Sequence, residues 1–243
     1  MNRLDTFLLV VFPYVAVAIF VIGSLYRYRR RGFTVSSLSS QFLEGRMLFW
    51  GTIPFHIGIL ALFFGHLFAF LLPETLLAWN NRPFRLILLE GAALVFGLAT
   101  LIGLAALVYR RFTQPRIRAV TTRMDVGIEL LLLAQIVLGV WIALRYRWGS
   151  SWFASDLSPY LMSLVKLSPE TEAVFALPWL IKLHVVGGFA VLFMIPFTRL
   201  MHLLVAPLNY LVRPYQQVVW NWDRTKIRDP GTGWIPESRS RSG

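Results

Sequence analysis

The chain has 243 residues, 56% of them hydrophobic, with a formal net charge of +12 and no cysteine. At a mean hydropathy of +0.60 it is too apolar for a soluble domain of this size, so its solvent is lipid and it is not a nucleic-acid-binding domain despite its charge. Without cysteine there are no thiolate-ligated iron–sulfur clusters, disulfides or covalently attached haem, and any metal centre must use His, carboxylate or Met.

Five segments are long enough to span a bilayer, and their unbroken apolar runs make them helices rather than strands. The first covers residues 6–26. Its basic cluster follows the apolar stretch, the wrong polarity for a cleaved signal, so it is expected to stay as a helix. The second covers 47–72, the third 86–109 with Glu90 inside, and the fourth 125–144 with Glu129 near its start. The fifth covers 176–206, with Lys182 and Arg199 in its flanks. The expected fold class is an all-α integral membrane bundle over 1–212, followed by a cytoplasmic tail over 213–243 that is irregular or binds a partner. The connection 147–175 is the longest, with a helix start at Ser168 to Glu172.

Loop charge sets the topology. The connection after the first helix, the connection after the third, and the region from Arg199 onward hold 17 of the 24 Lys and Arg residues. By the positive-inside rule the N-terminus is outside and the C-terminus cytoplasmic, in a bacterial or archaeal inner membrane.

All four histidines lie in or beside apolar segments: His56 and His66 on the second helix, His184 and His202 on the fifth. Ionisable residues are costly in a bilayer, and those found there usually have a function. Two on each of two antiparallel helices is the number that holds two b haems by bis-histidine ligation, so the residues read as a cytochrome b with haems between helices two and five. Equal depths pair His66 with His184 near the outer face and His56 with His202 near the inner face. On ideal straight helices the two spacings differ by about 12 Å, which Pro54 and Pro196 would have to absorb by reshaping their helices. Gly58, Gly65, Gly187 and Gly188 either clear room for a macrocycle or let helices approach. Met194 and Met201 read as packing residues. Arg110, Arg111 and Arg199, near the inner level, either pair with haem propionates or anchor the helix ends.

The segments FHIGILALFFGHLF (Phe55 to Phe68) and IKLHVVGGFAVLFMIPFTRLMHLLVAPLNYLVRPYQ (Ile181 to Gln216) resemble the haem-ligand helices of the respiratory nitrate reductase gamma subunit family. FPYVAVAIFVIGSLYRY (Phe12 to Tyr28) and QPRIRAVTTRMD (Gln114 to Asp125) are similar to that family as well, so the resemblance reaches to about Gln216. It implies a five-helix dihaem cytochrome b that oxidises membrane quinol, menaquinol or ubiquinol, near the outer face. Electrons then pass to a cytoplasmic iron–sulfur beta subunit and a molybdenum alpha subunit that reduces nitrate. It also implies the same histidine pairing, and it puts Arg85 at a quinol-site position where lysine is more usual. The quinol would bind around His66, Gly65 and Arg85, with Glu90 as proton acceptor. The bland readings are a lipid-edge arginine and a helix-end acid. Two other classes stay open: a cytochrome b anchor of a different cytoplasmic reductase, of heterodisulfide or sulfite-pathway type, and a haem-free transporter using histidine relays.

Overall fold

The computed structural model describes residues 3–31 and 46–205. The expected boundary at residue 212 and the tail beyond it lie outside these residues. The described residues form helices joined by short turns, without strands. We number the helices α1 (residues 3–31, with a wider π turn at Phe7–Val11), α2 (Arg46–Leu71), α3 (Pro73–Asn80) and α4 (Pro83–Thr113). There follow α5 (Pro115–Ala119), α6 (Arg123–Arg145), α7 (Gly149–Trp152), α8 (Ser158–Val165), α9 (Glu172–Ala176) and α10 (Trp179–Met194). Two 3₁₀ turns, Ile195–Phe197 and Arg199–Val205, end the described chain.

Five of these helices are long and apolar enough to cross a membrane: α1, α2, α4, α6 and α10 with its first 3₁₀ turn. Large apolar side chains such as Ile22, Trp50, Phe64, Val95 and Ile102 point outward, as a lipid solvent requires and water would not permit on this scale. Each expected segment is one of the spans. The first, third and fourth run further at both ends than hydropathy alone suggested, the fifth spans only Trp179–Phe197 instead of 176–206, and α3 fills the connection between the second and third.

The spans form an open arc. α2 lies against α4, α4 against α6, α6 against α10, and α10 against α1. Among the described residues α2 and α10 do not pack closely on each other. Small residues set the α2–α4 contact: a Cβ on Gly103 would stand 2.5 Å from the Phe55 backbone nitrogen, and one on Gly58 would overlap Thr100 Oγ1. Gly58 therefore serves helix approach rather than macrocycle clearance.

The long connection folds into α7, α8 and α9 and closes one end of the bundle. Ser158 Oγ donates to the Ala69 carbonyl of α2 at 2.9 Å, and Asn80 Nδ2 donates to Ser150 and Ser151 hydroxyls at 3.0 Å each. Tyr160 is 1% exposed and donates its hydroxyl to the Leu9 carbonyl at 2.5 Å. The α-helical partner of that carbonyl, four positions on, would be Pro13, which has no N–H. Leu9, Ile142, Leu157, Leu164, Val174 and Ile181 surround this contact as an apolar core.

Burial, with Tyr14 nearby, pushes the Tyr160 phenol above its ordinary value of 10.0. The folded state thus prefers the protonated phenol. Its contribution is fully present below the unfolded-chain value and is lost as pH rises above it, by up to about 1.4 kcal/mol per pH unit. We predict that Tyr160→Phe removes this alkaline loss and lowers stability at neutral pH by about 1–3 kcal/mol, because the Leu9 carbonyl loses its donor. Thermal unfolding in detergent as a function of pH tests both.

Candidate functional site

The four histidines form two groups, one near each end of the spans. His56 and His66 are exposed on α2 among the described residues. Each is tied to a carbonyl one turn earlier: His56 Nδ1 to Thr52 at 2.9 Å, and His66 Nδ1 to Leu62 at 2.8 Å. His202 Nδ1 reaches the Arg199 carbonyl at 2.7 Å. A carbonyl only accepts, so in all three rings the hydrogen sits on Nδ1 and the Nε2 lone pair is left over. This is how metal-ligating imidazoles are usually oriented.

The rings of His56 and His202 are 6.4 Å apart, centre to centre, and inclined by 61°. Two imidazoles sharing one metal ion come to about 6 Å, from two bonds of roughly 2 Å plus a ring radius of roughly 1.1 Å on each side. His56 and His202 therefore fit a bis-histidine centre. No group of three or more metal-ligating side chains occurs among the described residues.

The geometry that brings these rings together differs from a straight five-turn helix. α10 stops at Met194, a 3₁₀ turn begins at Ile195 with Pro196 inside it, and Thr198 is extended at φ −120° and ψ 179°. Pro196 lacks the N–H that would continue the ladder. His202 thus sits on a separate turn, away from the position that a straight helix would give it.

At the other end His184 is half-buried, and its Nδ1 is buried without a hydrogen-bond partner. It lies within electrostatic range of His66, whose ring meets Phe153 edge-on at 5.4 Å. Two residues of α6 shape the His184 setting, and neither was singled out from sequence. A Cβ on Gly139 would stand 3.1 Å from His184 Cε1. Gln135, one turn earlier, donates to the His184 carbonyl at 2.6 Å. Gly187 packs directly on the Gln135 side chain, so it too serves helix approach rather than macrocycle clearance. The readable signal was Gln135 itself, the one amide in the apolar run of the fourth segment.

The remaining expected site residues are spread around these rings. A Cβ on Gly65 would meet nothing within 4 Å, so the backbone beside His66 is open. Arg85 is exposed and holds its guanidinium 5.0 Å above the Trp79 ring, a cation–π contact. Glu90 Oε1 accepts from the Ser150 backbone at 2.8 Å and from its hydroxyl at 2.6 Å, so it fastens α7 to α4.

Arg111 and Arg199 are engaged by carboxylates. Arg111 Nε meets Glu129 Oε2 at 2.7 Å as an ion pair off the N–H axis, and its Nη1 is 3.9 Å from Asp125 Oδ2. Arg199 Nε meets Asp125 Oδ1 at 2.9 Å. Asp125 also closes the capping box that starts α6, with Thr122. A carboxylate this buried needs cations and N–H donors close by, and these two arginines supply the charge.

We predict that Asp125→Ala costs about 3 kcal/mol, since it takes the carboxylate from Arg199, weakens the charge balance around Arg111 and removes a helix cap. Arg199→Ala, at a partly exposed position, costs less. Denaturant unfolding of the two variants side by side measures the difference.

A sequence family described as nitrate reductase gamma subunit matches residues 5–221 of the chain. The respiratory nitrate reductase 2 gamma chain of Escherichia coli (strain K12) is 36% identical over 224 residues, covering 88% of this chain and 96% of that protein. The nitrate reductase gamma chain of Bacillus subtilis (strain 168) is 33% identical over 210 residues, covering 84% and 93%. The respiratory nitrate reductase 1 gamma chain of Escherichia coli (strain K12) is 33% identical over 223 residues, covering 90% and 98%. The chain, with its five apolar spans, belongs to the nitrate reductase gamma subunit family.

Proposed function

We propose that the chain is the membrane cytochrome b subunit of a respiratory nitrate reductase, taking electrons from quinol and passing them to cytoplasmic partner subunits. The observation that carries this reading is the His56–His202 pair, two imidazoles at metal-sharing distance with Nδ1 of each turned into a carbonyl. His56 and His202 would hold one haem b iron, and His66 and His184 a second. Two bound haems would supply one-electron carriers at the two ends of the bundle.

The chain's own residues define the rest. By the positive-inside rule the basic connections and tail support a cytoplasmic position for the His56–His202 end, where an iron–sulfur beta subunit and a molybdenum alpha subunit would receive electrons. The family name itself supports this, since a gamma subunit implies companions. The His66–His184 end then faces outward, beside Gly65, Arg85 and Glu90. Gly65 leaves the flank of His66 open to a flat head group. Arg85, held over Trp79, presents fixed donors to a quinol oxygen. Glu90 has one oxygen committed to Ser150, so Oε2 is where it would take a proton. Protons left outside and electrons carried inward store about 2.3 kcal/mol per charge per 100 mV.

Purified chain should show two b haems per polypeptide in a reduced-minus-oxidised spectrum with a haemochrome count. Alanine at His56 or His202 should leave one haem, and alanine at His66 or His184 should leave the other. A folded, haem-supplied preparation without haem would overturn the reading and favour histidine proton relays. Gly139→Ala should shift the band of the His66–His184 haem alone, because its new methyl must displace the His184 ring. Low-temperature spectra resolve the two bands.

A further inference from the structure

The turn that carries His202 is not held by its own helix. The break at Pro196 to Thr198 frees backbone carbonyls at the end of an apolar span, where an unsatisfied carbonyl is costly. Arg27 of α1 supplies the donors. Its Nη1 donates to the Pro196 carbonyl at 2.8 Å and to the Thr198 carbonyl at 2.6 Å. Gly23, one turn before Arg27, seats the proline: a Cβ there would stand 2.8 Å from Pro196 Cβ. From α6, Asp125 holds the other side of the break through Arg199 Nε at 2.9 Å. The Arg199 carbonyl in turn accepts from His202 Nδ1. Two helices that carry no histidine on this side, α1 and α6, therefore fix the turn from both flanks.

We infer that Arg27 and Asp125 are positioning residues for His202, holding the broken end of the fifth span so that its imidazole stands opposite His56. Neither touches the rings. Arg27 acts through the backbone of Pro196 and Thr198, and Asp125 acts through Arg199. The consequence for a haem rests on the function proposed above, whereas the juxtaposition of the rings does not.

The first test compares full-length Arg27→Ala, Arg27→Lys and Asp125→Asn by haem count and redox titration. Arg27→Ala and Asp125→Asn should lose the His56–His202 haem or shift its midpoint potential and band. The His66–His184 haem should stay unchanged and so report that the chain is folded. Arg27→Lys keeps a cation able to reach both carbonyls, and should restore both haems. The second test needs no haem. The chain has no cysteine, so His56→Cys and His202→Cys together create a unique thiol pair. Its cross-linking by a short bifunctional reagent in membranes should slow at least tenfold when Arg27→Ala is added, and Arg27→Lys should recover it. Unchanged potentials and unchanged cross-linking in Arg27→Ala would overturn the inference. Absence of haem from the wild type would overturn the proposed function alone, and cross-linking would still decide the role of Arg27.

Discussion

A carbonyl inside a lipid-facing helix must find a donor within the protein, because hydrocarbon offers none. Proline withdraws that donor, and of the prolines inside three spans, Pro13, Pro54 and Pro196, the first and last stand where another helix reaches across. Pro13 leaves the Leu9 carbonyl to the hydroxyl of Tyr160. Pro196 ends the regular part of α10, and Arg27 takes the carbonyls of Pro196 and Thr198. The first exchange ties the long connection to α1 and closes one end of the bundle. The second redirects the chain so that His202 meets His56. Both ends of the molecule thus take their shape from the same requirement.

Packing between spans follows a second rule. Lipid tails solvate apolar side chains as well as other helices do, so helices associate by close backbone approach and by polar contacts. Gly58 and Gly103 bring α2 and α4 together, and Gly187 seats against Gln135 between α10 and α6. Among the described residues, the same contacts leave His56 and His66 of α2 exposed. Charge is concentrated where the chain leaves the apolar layer, and there Asp125 and Glu129 compensate Arg111 and Arg199.

Much of this was legible from the residues. Continuous apolar runs disclose the spans, because length and hydropathy suffice for a helix in lipid. The histidines stood out because a titratable group within such a run is rare. The depth at which each lies follows from the alternation of helix direction. The fates of the arginines and glycines were not legible. Whether Arg111 faces a carboxylate or a cofactor depends on the rotation of α4 against α6, which hydropathy does not encode. Gly58 and Gly139 look alike in sequence, yet one meets a helix backbone and the other an imidazole. The break after Met194 was suggested by Pro196, but its direction depends on Arg27, some 170 residues earlier in the chain.

The open arc has a consequence for biogenesis. His56 and His66 belong to the α2–α4 pair, whereas His184 and His202 belong to the group formed by α10 with α1 and α6. Neither half of the arc holds both members of either histidine pair. On the function proposed above, a span made early and a span made last would therefore both have to be inserted and correctly rotated before two imidazoles could hold one iron. Cofactor capture would then double as a quality check on membrane insertion: a chain truncated or misthreaded before its final span would present only single histidines and stay colourless.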